Sequence, residues 1–138
     1  MAIGFKVDFL WYPIGISDFV YSFFSTICCN LENRKWGSRF PHVMKSLYQG
    51  ELNHNDVDET IVEILTIREE LKSFPPQKIV WDIDDLHKLP PWGSNLSKDI
   101  TDLSNYFITC DGEDLFELML RVLRESKAEK QNVELTSL

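Results

Sequence analysis

Three carboxylates fall within four positions of this chain, at Asp82, Asp84 and Asp85. They follow an apolar run, Ile79-Val80-Trp81, and precede a stiff corner, Pro90-Pro91-Trp92-Gly93. Carboxylates crowded at the end of an apolar strand are what nucleophilic, acid–base and cation chemistry use. The companions such chemistry needs are missing. A cation site on these three acids requires further oxygen ligands, and no EF-hand spacing follows them. The six glycines are scattered, so no loop is built to cradle a phosphate. No Gly-x-Ser-x-Gly elbow frames a serine nucleophile. His42, His54 and His87 fall in expected surface turns or helix edges, without a metal partner at helical spacing.

The Asp82-x-Asp84 pair resembles the first motif of the haloacid-dehalogenase-type phosphotransferases. That resemblance implies a nucleophile, a general acid and Mg²⁺ between them. Leu86 stands where that family has Thr or Val, and the motif lies past mid-chain. Too few residues follow to complete a doubly wound sheet. A small Mg-dependent phosphotransferase-like enzyme using Asp82 and Asp84 is therefore the alternative reading. The cysteines, Cys28, Cys29 and Cys110, lack C-x-x-C spacing, and their odd number argues against a disulfide framework. All three read as small buried apolar groups. Asp111, Glu113 and Asp114 oppose a thiolate at Cys110.

The formal charge is −8, the wrong sign for gripping a nucleic-acid backbone. It suits docking onto a basic protein. Two Trp-Gly pairs, Trp36-Gly37 and Trp92-Gly93, sit in expected loops. Tryptophan there either anchors a partner or plugs the edge of the core.

The elements that must position these residues follow from periodicity. Residues 3–12, IGFKVDFLWY, alternate as one strand that Pro13 and Gly15 end. Ser17 caps a helix whose broad apolar face includes Phe19, Val20, Phe23, Phe24, Ile27 and Leu31. Ser22, Ser25, Thr26 and Asn30 form its polar face. A short helix spans 41–49 and a third 56–73. Lys78 to Ile83 reads as a second strand, Asn105 to Thr109 as a third. The last helix starts near Asp111, and Asn132 to Leu138 reads as an edge strand. The order β-α-α-α-β-β-α-β predicts an α+β fold: a single domain over 1–138, with a mixed four-stranded sheet and helices packed on it. No apolar run is long enough to span a membrane. The start, MAIGFKVDF, carries Lys6 and Asp8 and no basic lead, so a cytoplasmic protein is expected.

With these residues laid out, the chain resembles the bacterial polymorphic-toxin immunity proteins, specifically the immunity 70 family. The resemblance is carried, in order, by GFKVDFLWY, SFFSTICCNLEN, KWGSRFP, LYQGEL, VWDIDDL, PPWG and LSNYFITCDGEDLFE. These stretches appear in this order and spread over nearly the whole chain. The resemblance implies a cytosolic protein that binds a cognate toxin C-terminal domain and blocks it, with no catalysis and no cofactor. An acidic inhibitor matches a basic nuclease electrostatically. Site residues follow from charge and loop aromatics: Asp82, Asp84 and Asp85 as counter-charges, with Trp92 and Trp36 as anchors. A non-enzymatic adaptor that pairs as a homodimer through the edge strand Val133 to Leu138 is the remaining alternative to a monomer.

Overall fold

The computed structural model describes residues 2–137. Strand β1 (Ala2–Val7) turns back on itself at Asp8-Phe9 into strand β2 (Leu10–Ile16). The stretch expected as one strand is thus a hairpin. Asp8 makes the turn with φ at 55°, a left-handed conformation that Asp tolerates better than most residues. The two-residue turn inverts the parity of the faces. Phe5 pairs with Tyr12, and Lys6 with Trp11. Phe5 and Val7 are buried as expected, whereas Phe9 sits at the tip, 92% exposed. Trp11 lies against Gly4 on the other face, where a Cβ would come within 2.7 Å of the indole. Alternation continues through both arms, so periodicity alone does not show the fold-back.

Helix α1 (Ser17–Leu31) follows directly, with Ile16 rather than Ser17 at the cap position and no side-chain cap. A π-helical segment (His42–Leu47) leads to the two-residue strand β3 (Glu51–Leu52). Helix α2 (Val57–Leu71) and helix α3 (Leu115–Glu129) pack on one another, and strand β4 (Val133–Ser137) closes the chain. Asp114 caps α3 by accepting the Glu117 N–H at 3.2 Å.

The sheet has four strands in the order β2-β1-β4-β3, and every neighbouring pair is antiparallel, not mixed. The fold is α+β, with the helices on one face of the sheet and one hydrophobic core between. Phe23 of α1 is its hub, edge-on to Phe24, Phe107 and Phe116 with centroids 5.2–5.4 Å away.

Two expected strands are not strands. Residues 78–83 form no strand: Lys78 ends a short 3-10 turn (Pro76–Lys78), Trp81 is a bend and Ile83 begins a turn, and the segment lies on α1, away from the sheet. Residues 105–109 form a narrow loop that bonds the start of α3: Thr109 N–H to Glu113 O at 2.8 Å and Leu115 N–H to Phe107 O at 2.9 Å. Their places in the sheet are taken by the second hairpin arm and by β3. The expected edge strand is also displaced. β4 pairs with β1 on one side and β3 on the other, so it lies inside the sheet (Leu138 is outside the described residues). Val133 and Glu134 are paired on both sides, which leaves a homodimer only the rest of that strand as an edge. The free edges are β3 and β2. Pro13 interrupts β2, tolerable in an edge strand where one donor is not needed, and the Cys110 N–H occupies Ile14 O at 2.9 Å. Cys28 is buried as expected, and burial pushes its thiol up to about 11. Cys110 is exposed. No helix among the described residues is long and apolar enough to cross a membrane.

Candidate docking surface

The polar stripe of α1 decides where the acidic segment sits. Ser22, Ser25 and Thr26 do not face solvent; each is fully buried. Their spacing puts them on one side of the helix, and the segment 78–83 runs along that side. The Thr26 hydroxyl bonds both the N–H and the carbonyl of Val80, each at 3.1 Å. Ser22 donates to the same carbonyl at 2.8 Å, Asn30 donates to Lys78 O at 3.0 Å, and Ile83 N–H donates to Ser25 at 3.3 Å. Side chains of a helix thus supply hydrogen bonds that a neighbouring strand would otherwise give. Trp81, 8% exposed, pins the segment into the core.

The chain leaves the helix at Asp82. Its carboxylate accepts the Asp84 N–H at 2.8 Å, closing a tight Asx-type turn, and lies 3.5 Å from Lys88 Nζ. Asp84 is exposed and accepts the Tyr21 hydroxyl at 2.7 Å. Asp85 is exposed and accepts the His87 N–H at 3.2 Å. Burial, and then the bond to Asp84, hold the Tyr21 hydroxyl well above the usual tyrosine range, so it remains a donor. Each of the three carboxylates is thus engaged in at least one hydrogen bond within the turns that carry it or with α1.

This geometry departs from the phosphotransferase reading. That reading places both acids at the end of a sheet strand, with the first one free to attack. Here the segment is in no sheet, and Asp82 is engaged by Lys88 and by its own turn. Among the described residues, no three His, Cys, Asp or Glu side chains converge as metal ligands.

The Pro90–Gly93 corner closes with the Gly93 N–H on Pro90 O at 2.9 Å, and Gly93 takes φ at 57°. Trp92 is 36% exposed. Its indole donates to the Tyr106 hydroxyl at 2.8 Å, and its ring meets Trp81 edge-on at 5.4 Å. Leu86 and Leu89 stand exposed on the same loop, Leu89 at 75%. Acids and apolar surface therefore alternate along one short stretch.

Trp36 has a different place. It is half-buried, donates to Met44 O at 2.6 Å, and packs against Tyr48 at 4.9 Å and Tyr21 at 6.1 Å. It backs Tyr21 and hence Asp84. The structure links Asp84 to Trp36 through Tyr21, and Trp92 to the core through Trp81, the residue before Asp82; Asp85 is tied to neither tryptophan. The residues sequence reading missed are Tyr21, Tyr48 and the buried hydroxyls of α1. Their legible signal is the run of Ser and Thr at positions 22, 25 and 26 within an otherwise apolar helix.

The family model described as immunity protein 70 matches residues 5–135. The chain belongs to the immunity protein 70 family. The match runs from β1 into β4 and includes the whole acidic surface. Membership carries a toxin-immunity role and, with it, binding to a cognate toxin; it points away from catalysis. Searches of curated proteins and of solved structures returned no significant match.

Proposed function

We propose that this chain, over 1–138 as one immunity-type domain, neutralises its cognate toxin domain in the cytosol by covering the toxin's active cleft, without catalysis or a cofactor of its own. The observation that carries this reading is the acidic segment 82–85, held by backbone and side-chain bonds beside exposed Leu86, Leu89 and Trp92. Fixed carboxylates next to apolar surface are suited to basic residues lining a partner's cleft. Close charge pairs of this kind contribute about 1.5–7 kcal/mol of coupling when desolvated. Trp92 adds apolar area beside them, and Trp36 supports the wall behind Asp84. The net charge of −8 favours a basic target, a nuclease being one that fits.

The test is co-expression with the cognate toxin domain. Cells carrying the wild-type chain survive. An Asp84→Lys/Asp85→Lys chain that is folded and present at normal levels fails to protect. Undiminished protection by that variant places the docking surface elsewhere.

A further inference from the structure

A cleft of about 480 Å³ opens at the seam where the first turn of α1 meets the sheet. Its walls are Ile3, Val20, Leu135 and the rings of Tyr21 and Tyr48, and Asp18 stands at its mouth. None of its lining residues is basic. Neither Asp18 nor Asp84 joins an ion pair among the described residues. Asp84 is adjoined to the cleft through the Tyr21 hydroxyl. The Tyr48 hydroxyl makes no hydrogen bond among the described residues, and burial holds it protonated above its ordinary range.

We propose that this cleft receives an arginine side chain from the partner protein, with Asp18 and Asp84 as its counter-charges and the tyrosine rings as its stacking surface. The inference rests on the docking reading above and names the chemistry of one contact within it. The apolar walls suit the aliphatic stem. The two rings suit a flat guanidinium, which stacks on aromatic faces where an ammonium does not. Charge decides the sign of the occupant. The N-terminus of α1 contributes about half a positive charge. Two unpaired carboxylates outweigh it, so an anion is disfavoured and a cation favoured. The neighbouring cleft beneath Leu89 lacks this argument, because no charged residue lines it.

The first test needs no toxin. Nα-acetyl-arginine amide is titrated into isotope-labelled protein while amide shifts are followed, with the citrulline amide as the uncharged isostere. The largest shifts fall on Ser17, Asp18, Tyr21, Tyr48 and Leu135, and citrulline binds about tenfold more weakly. Shifts spread equally over remote acids such as Glu59 and Glu129, or equal binding of citrulline, overturn the proposal. The second test uses the cognate toxin domain. Asp18→Asn with Asp84→Asn weakens the complex about tenfold or more, while Glu59→Gln with Glu129→Gln leaves it unchanged. A wild-type complex indifferent to the Asp18/Asp84 pair overturns the cleft and leaves the docking reading standing. Absence of any wild-type complex overturns both.

Discussion

The hydroxyl of Tyr21 donates to Asp84 at 2.7 Å across 63 residues of chain. Tyr21 belongs to the helix at the centre of the fold, and Asp84 to an exposed segment outside the sheet. The same tyrosine rests on Trp36, whose indole is tied to Met44 O. A surface acid is thereby referred to the core through two aromatic rings. Ordering the segment before the partner arrives lowers the entropy lost on binding.

Tyr21→Phe keeps the ring and removes that bond. We expect a stability loss of about 0.5–1.5 kcal/mol by chemical denaturation. Amide exchange at Asp84 and Asp85 accelerates, and toxin binding weakens through a slower association or a faster release. Unchanged exchange across 82–85 would show that Tyr21 does not hold the segment.

Thr26→Val tests the seat of the segment 78–83. Valine matches the shape of threonine but leaves the Val80 N–H without its partner, while the Val80 carbonyl keeps only the Ser22 hydroxyl. The cost is about 1–3 kcal/mol, the range for a buried polar group left unsatisfied. Thr26→Ser restores most of it. If Val and Ser variants denature alike, the hydroxyl is not what seats Val80.

Glu32 is 2% exposed, and its carboxylate accepts the N–H groups of Gly37, Arg39 and Phe40, each at 3.0 Å. It organises the loop that carries Trp36. Glu32→Gln points an amide donor at backbone donors and should cost about 2–3 kcal/mol, a charged bond being worth about 1.5–3. Tryptophan fluorescence should report a more solvated Trp36.

Legibility in the sequence followed the physics of each segment. Helices α1, α2 and α3 were readable because apolar residues recur at helical spacing over about four turns each, and only their caps moved. The α+β class was readable from the same pattern; the count of four strands agrees only because the unforeseen hairpin arm and β3 replace the two segments, 78–83 and 105–109, that are not strands. The hairpin at Asp8-Phe9 was not, because a two-residue turn leaves alternation intact and lacks the Asn-Gly or Asp-Gly signature. Residues 78–83 have the composition of a strand, yet they run from a 3-10 turn through a bend into the next turn, and Lys78, Val80 and Ile83 bond side chains of α1 (Ser22, Ser25, Thr26 and Asn30) instead of a strand. Propensity does not specify a segment's partner. Of the candidate site, the acids and Trp92 were visible as charge and as a stiff aromatic corner. Tyr21 and Tyr48 were not, because only tertiary packing brings them beside Asp84.

The Arg39–Glu70 pair gives a pH dependence of known sign. Arg39 donates two N–H groups to Glu70, each at 2.7 Å, and this holds the Glu70 carboxyl below its usual range. A depressed folded-state value means the contribution is present above the unfolded-state value of about 4.3 and is lost as pH falls through the folded-state one. Both side chains are partly exposed, so solvent limits the contribution to about 1 kcal/mol at most. The stability gap between wild type and Glu70→Gln should be open at neutral pH and close on acidification. Glu63 runs the other way: burial raises its carboxyl, so its contribution holds at acid pH and is lost as pH rises through the raised value. A gap for Glu70→Gln that widens in acid contradicts this assignment.

The central claim is that the acidic segment docks a toxin domain. Calorimetric titration of the chain with its cognate toxin domain tests this most directly, with the wild type and the Asp84→Lys/Asp85→Lys variant run side by side. The account predicts a one-to-one complex with a dissociation constant on the order of nanomolar, abolished or weakened at least about a hundredfold by the charge reversal while the variant still melts cooperatively. A folded variant that binds as tightly as the wild type, or a wild type that does not bind, contradicts it.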